Sequence, residues 1–289
     1  MLQQVFLVIP VFNRINYTLE CLASVYSQTF KRFKVIVVDD GSSDGTSERI
    51  KDIYPEVIIV TGDGSLWWTG ATNLGVKKAL ELSNSSDDYI LTLNNDLIVP
   101  ANYLEALIAL AERFPKALIG SVSVDIANPE KIYYAGTIWN SKTAKYKSAV
   151  NNNISYTECK SATDYIATDL LPGRGVLISC SVFKQIGLYD FVHFPQYMAD
   201  EDFSLRAKKA GFQLLVSTKS SVLNYVNETG LKKRAKDFKF YKDFFTSIKS
   251  PVNLRNRWNW AKKHSTIHPL FYFLLDISRI IKSLALNIE

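Results

Sequence analysis

The chain has 289 residues, 47% of them hydrophobic and 21% charged, a composition that excludes disordered, collagen-like and multi-span membrane classes. Its formal charge of +6 is unevenly placed: residues 231–263 carry eleven Lys/Arg against two Asp, whereas residues 1–230 carry 21 against 24, so the basic balance does not point to nucleic acid. Three cysteines, Cys21, Cys159 and Cys180, form no C-x-x-C pair, which argues against a disulfide framework or structural zinc and for a reducing compartment.

In chain order, Val5 to Val11 reads as an apolar strand, followed by a helix from about Tyr17 to Gln28, a strand at Val35 to Asp39, a helix from about Ser43 to Ile53 and a strand at Val57 to Thr61. A helix over roughly Ala71 to Ser83 and a strand at Tyr89 to Leu93 complete the first hundred residues. Strands this uniformly apolar are covered on both faces, and their alternation with helices predicts a parallel sheet. After Pro100 the pattern predicts a helix to about Phe114, a strand at Ala117 to Val124, hairpins or an insertion at Trp139 to Thr163, and a Gly-containing run from Leu170 to Val182. A helix near Asp202 to Ala210 ends at Gly211, suited to a left-handed cap, and a strand at Gln213 to Ser217 closes the domain near Asn227. The expected organisation is a domain over 1–228, with a nucleotide-binding half (1–100) and an acceptor half (101–228), and a basic, aromatic, helical tail over 229–289. In that tail Leu270, Phe273, Leu274, Ile277, Ile280, Ile281 and Leu284 recur every three or four residues, with Asp276, Arg279 and Lys282 between them. This amphipathic helix suits packing on its own domain, a second copy of the chain, or an anionic membrane surface. The start of the chain shows no basic run before Val5, and no uncharged stretch nears the roughly 20 residues of a spanning helix, so the expected location is the cytoplasm, at most peripheral on the inner membrane face.

Three polar clusters interrupt apolar runs. Asp39-Asp40-Gly41-Ser42-Ser43-Asp44 follows the second strand, at the sheet edge where open α/β folds bind ligands; a carboxylate there either receives a ligand N–H or hydroxyl or caps the following turn. Asn94-Asn95-Asp96 ends a buried strand, and Asp96 beside an amide oxygen suits a hard divalent ion bridging to a diphosphate as well as an Asx turn. Asp200-Glu201-Asp202 sets three carboxylates side by side, a crowding that raises carboxyl pKa values and serves a general base, although acidic residues also favour a helix N-terminus. The segment Gly62 to Asn73 joins Trp67 and Trp68 to glycines; Trp67 occupies the place of the third glycine of a dinucleotide fingerprint, so the pair reads as a pocket wall or a core anchor. His193, His264 and His268 have no metal-ligand spacing and receive no role.

Over residues 3 to 226 these pieces resemble the family 2 glycosyltransferases of the GT-A fold. The resemblance rests on Ile9-Pro10-Val11-Phe12-Asn13-Arg14, Ser27-Gln28-Thr29-Phe30, Val37-Val38-Asp39-Asp40-Gly41-Ser42, Asn94-Asn95-Asp96 in the place of a D-x-D-type motif, and Asp200-Glu201-Asp202-Phe203-Ser204-Leu205-Arg206. It implies a mostly parallel sheet flanked by helices and an inverting transfer from a UDP- or dTDP-linked sugar to a glycan or lipid-linked saccharide, with Mn²⁺ or Mg²⁺ as cofactor. It further implies that Pro10, Phe12, Asn13, Arg14, Asp40, Trp68, Asn73, Asn95 and Arg174 serve the donor, with Asp40 on the base and Asn95 near the ribose. Asp200 matches the catalytic base, Glu201 and Asp202 the acceptor side, and Asp96 the metal ligand, with Asn224 where many relatives have a histidine. The motif keeps one carboxylate where the family often has two. Alternative readings are a sugar nucleotidyltransferase, which the absence of a Gly-rich phosphate loop after the first strand disfavours, and a non-catalytic carbohydrate- or membrane-binding module.

Overall fold

β1 (Val5–Val11) shows why the strands read as uniformly apolar: Val5, Leu7, Ile9 and Val11 belong to one hydrophobic cluster and Phe6 and Val8 to the other, so both faces of the strand are covered. The structure is a computed structural model, and it describes residues 3–151, 153–225 and 237–285. The expected end of the domain near Asn227, the boundary at 228 and 229 and the basic residues Lys232 to Lys236 lie outside them.

The first half runs α1 (Ile15–Tyr26), β2 (Phe33–Asp39), α2 (Thr46–Ile53), β3 (Ile58–Thr61), α3 (Trp67–Leu82) and β4 (Tyr89–Thr92). Its strands pair in parallel in the order β3-β2-β1-β4. α3 lies close on β1 because Gly75 has no side chain: a Cβ there would sit 2.4 Å from Val8 Cγ1. The helix opens earlier than its apolar period predicts, and both tryptophans stand in its first turn.

The second half comprises β5 (Leu97–Ile98), α4 (Tyr103–Arg113), β6 (Ala117–Asp125), β7 (Ile132–Tyr134), the hairpin β8 (Thr137–Asn140) and β9 (Lys145–Ser148), α5 (Tyr156–Ala162), β10 (Tyr165–Ala167), β11 (Val176–Ser179), α6 (Cys180–Ile186), α7 (Ala199–Lys209) and β12 (Gln213–Asn224). β11 inserts antiparallel between β4 and β6, so the sheet is mostly parallel, in the order β10-β12-β6-β11-β4-β1-β2-β3. β12 continues to Asn224 where the polar run Ser217 to Ser221 suggests a stop; a register shift accommodates that run, and Ser220 Oγ donates to Ser217 Oγ at 3.1 Å. Gly211 takes the left-handed conformation expected after α7, with φ of 91°.

The C-terminal helices are α8 (Phe238–Thr246), α9 (Leu254–His264) and α10 (Pro269–Ala285), and α10 carries the amphipathic period read from Leu270 onward. Trp260, Ala261 and Tyr272 are buried in the same cluster as α3 and α7, and Tyr272 Oη accepts from both Trp139 Nε1 (2.9 Å) and Trp260 Nε1 (3.2 Å). The sequence placed Asp276 among the polar residues of α10, yet it is buried, because Arg257 Nη1 and Arg279 Nη1 each reach it at 3.3 Å. Of the apolar residues in that period, Leu270, Leu274 and Ile281 are exposed.

Candidate active site

Phe12 to Arg14, Asp39 to Asp44 and Asn94 to Asp96 follow the C-terminal ends of the adjacent parallel strands β1, β2 and β4, and so converge on one edge. Pro10 is the sixth residue of β1, Phe12 is 56% exposed, and Asn13 and Arg14 both adopt left-handed φ values, 58° and 67°. Such a conformation costs about 1–2 kcal/mol per L-residue and needs support. Asn13 N donates to Ser42 Oγ (2.7 Å), Asn13 Oδ1 accepts from Ser43 N (2.9 Å), and Ile15 N donates to Asp44 Oδ2 (3.0 Å). The turn aims Arg14 at Asp96, with Nη1 3.0 Å from Oδ2.

A chain of contacts leads from Asn94, two residues before Asp96, toward the acidic triplet. Asn94 Oδ1 accepts from Trp68 Nε1 at 2.9 Å, and the Trp68 ring lies so close under Gly173 that a Cβ there would approach its Cζ2 to 2.2 Å. Gly173 N in turn donates to Asp200 Oδ2 at 2.7 Å, while exposed Arg174 brings its charge near that carboxylate. Gly173 thus lets the loop bridge an indole and a carboxylate that belong to different helices.

The triplet forms the first turn of α7, which opens after Met198 in the left-handed conformation. Its three carboxyls meet three environments. Asp200 is half-buried, and burial raises its pKa against the N–H groups of Gly173 and Glu201 and the charge of Arg174. Burial and the adjacent Asp200 push Glu201 up to about 7, with Arg257 opposing and Asp276 adding to the rise. Asp202 is buried too, but hydrogen bonds from His264, Lys263 and Arg206 outweigh that burial and hold it well below the usual carboxylate range.

A family model described as Glycosyl transferase family 2 matches residues 6–187. The chain belongs to that family. The match covers the donor-side segments from β1 through α6 and stops short of α7. Among relatives, an uncharacterized glycosyltransferase of Rickettsia bellii is 37% identical over 113 residues, 38% of this chain and 15% of its own length. Glycosyltransferase GlyA of Streptococcus pneumoniae is 25% identical over 182 residues, 62% of this chain and 25% of its own. The N-acetylglucosaminyl-diphospho-decaprenol L-rhamnosyltransferase of Mycobacterium tuberculosis is 25% identical over 218 residues, 71% and 70% of the two chains. The chain therefore spans a quarter or less of the first two relatives. A structure of GalNAc-T7 with UDP, GalNAc and Mn²⁺ shares the fold, with a TM-score of 0.62 over 94% of this chain and 54% of that one at 15% identity.

In this family 2 glycosyltransferase several of the expected site residues are engaged by the protein's own groups. Asp40 is 5% exposed, Oδ1 accepts from Gly64 N (2.9 Å), and Oδ2 accepts from Leu66 N (3.0 Å) and Trp67 N (3.1 Å). It caps α3 from another strand, which is why that helix starts early. The Asn73 amide is consumed by the Tyr189 backbone, donating to its carbonyl (2.9 Å) and accepting from its N–H (3.0 Å). Asn224 is buried beside β5 with its amide donating to Ser123 Oγ, and Asp202 is a fully buried anchor rather than an acceptor-facing group. Asn95 is 8% exposed and donates through Nδ2 to Thr18 Oγ1 at 2.9 Å. Trp68, Arg174 and Asp200 meet at the Gly173 loop, Glu201 adjoins Asp200, and Arg14 pairs with Asp96 at the donor-side edge. Sequence reasoning missed Arg257, Lys263 and His264 of α9, as well as Gln196, whose Oε1 accepts from Trp68 N at 2.9 Å. The one available signal was the aromatic, basic character of the tail.

Proposed function

We propose that the chain is an inverting transferase that moves a hexosyl or deoxyhexosyl group from a UDP- or dTDP-sugar to a hydroxyl of a glycan or lipid-linked saccharide in cell-surface polysaccharide synthesis. It works at the cytoplasmic face of the membrane, with peripheral contact through residues 231–289. The observation that carries the reading is the run from Asn94 through Trp68 and Gly173 to Asp200, which joins the donor-side motif that ends in Asp96 to a half-buried carboxylate. The name of the mycobacterial relative supports a lipid-linked acceptor and a deoxyhexosyl donor.

In the proposed step Asp200 takes the proton of the acceptor hydroxyl, and the acceptor oxygen so freed forms a bond to the anomeric carbon from the face opposite the leaving group. The bond to the nucleoside diphosphate breaks, its electron pair leaves with the diphosphate, and the configuration inverts. Burial makes the Asp200 carboxylate a better proton acceptor than a solvated one. Arg14, paired with Asp96, stands on the donor side, where the negative charge of the leaving diphosphate develops.

No group of three or more His, Cys, Asp or Glu is placed to hold a metal among the described residues. One carboxylate, Asp96, fits an ion that enters with the substrate, because Mg²⁺ or Mn²⁺ takes few protein oxygens and fills its shell with phosphate and water. Held there, such an ion would supply charge neutralisation for the diphosphate.

The test is a panel of nucleotide sugars with Mn²⁺ or Mg²⁺, with an EDTA control. Asp200→Asn is expected to lower transfer by about 10²–10⁴-fold while donor binding survives, and Asp96→Ala to weaken metal-dependent donor binding. Turnover of no donor under any metal condition would overturn the reading, and pyrophosphate release from a nucleoside triphosphate and a sugar phosphate would favour a nucleotidyltransferase.

A further inference from the structure

The inner side of α10 is fully used. Tyr272 and Asp276 are buried in the bonds described above, and Phe273 packs edge-on against Trp258 at 5.5 Å. On the opposite side Leu270, Phe271, Leu274, Leu275 and Ile281 are 46%, 64%, 54%, 43% and 52% exposed. They are five of the twelve large hydrophobic residues that the described residues expose, gathered on one 17-residue helix. At 3.6 residues per turn they share an arc of about 140° with Ser278 and Lys282. A contiguous apolar strip of this kind marks a contact surface.

Charge selects the partner. Residues 237–285 carry nine Lys/Arg against three Asp, and Asp276 is already neutralised by two arginines. Exposed Lys282 lies within the strip, and exposed Lys262 stands on the adjoining helix α9, over the Trp258 ring that packs on the inner-side Phe273. A second copy of the chain, docked face to face, would bring Lys282 of each copy into an apolar interface with no acid in the strip to pair it. An anionic bilayer answers both features, since its acyl boundary takes the leucines and phenylalanine and its headgroups take the lysines. No described helix is long and apolar enough to cross a membrane, so α10 would lie in the interface plane.

We propose that the outward face of α10 docks on an anionic lipid bilayer. The inference deepens the proposed function and rests on it for the purpose of docking, namely access to a lipid-linked acceptor. It is tested with the full chain and two vesicle types, phosphatidylcholine alone and phosphatidylcholine mixed with phosphatidylglycerol, by flotation at low and high salt. The chain is expected to float with the mixed vesicles, less with the neutral ones, and less again at high salt. Phe271→Glu with Leu274→Glu should lower partitioning at least about tenfold, because both side chains are outside the protein core and inside the lipid contact. Nucleotide-sugar hydrolysis without vesicles should stay unchanged in that variant, which also shows that it is folded. Failure of the native chain to bind mixed vesicles, or equal binding by the variant, would overturn the inference. So would light scattering that shows a native dimer and a monomeric variant, which would make the strip an interface between copies. Vesicle binding without turnover of any nucleotide sugar would leave docking standing and remove the transferase reading instead.

Discussion

Adjacent residues of one sequence motif acquire opposite chemistry from their surroundings. Asp202 finds three donors and stays ionised, whereas Glu201, one residue earlier, lies between Asp200 and Asp276 with only Arg257 to offset them. Because the Glu201 pKa rises to about 7 on folding, the folded chain holds a proton that the unfolded chain has released near neutral pH. The stability from this group is therefore present below the ordinary glutamate range and lost as pH rises through about 7. Glu201→Gln, which mimics the protonated form, is expected to raise the melting temperature at pH 8 by a few degrees and to flatten the fall between pH 6 and pH 8. Thermal scans of both proteins at the two pH values check this, and parallel pH dependence would refute it. The same carboxyl adjoins the proposed base, whose negative charge is one cause of its raised pKa.

At the scale of elements, α9 acts as a latch on α7. His264 Nε2 donates to Asp202 Oδ1 at 2.8 Å, and Lys263 Nζ lies 2.6 Å from both that oxygen and Asp190 Oδ2. Arg206 Nε holds the other Asp202 oxygen at 2.8 Å and passes its remaining donors to the Ile186 and Leu188 carbonyls. Removing one member of such a buried network costs about 3–5 kcal/mol; since Lys263 and Arg206 keep some access to water, Asp202→Ala is expected near 3 kcal/mol by chemical denaturation. Its depressed pKa contributes stability that is present above the ordinary aspartate range and lost as pH falls, so the deficit of Asp202→Ala should shrink in acid. A deficit independent of pH would refute the charge account. The α9 side of this latch was not legible in the sequence, because His264 lies 62 residues from Asp202 and no local period announces the pairing, whereas Arg206 sits at helical spacing from Asp202. The strands of the first half were legible, since two-sided burial leaves an unbroken apolar run, and so was the convergence of the motifs that follow them. The cap that Asp40 provides for α3 was hidden for the same reason as the latch: it joins residues 26 and 27 positions away.

For the whole molecule the question is whether the C-terminal helices are an appendage, as the shift to basic composition suggests, or part of the folding unit. Trp260 and Tyr272 are fully buried, share a cluster with α3, α6 and α7, and share hydrogen bonds with Trp139 of the β8–β9 hairpin. Charge divides the chain near residue 230, but apolar burial does not follow that division, and burial contributes more to cooperative folding than surface charge does. The full chain is therefore expected to unfold in a single calorimetric transition whose van't Hoff and calorimetric enthalpies agree. Trp260→Ala, which empties a large buried site and orphans one bond to Tyr272, should cost about 3–5 kcal/mol and move that whole transition down by several degrees. An appendage would behave otherwise: the substitution would shift only a small, separate transition and leave the main one in place. Scanning calorimetry of the two proteins separates the cases, and the outcome bears on catalysis, because a tail that melts with the domain holds α7 and Asp200 in place up to the temperature at which the sheet itself unfolds.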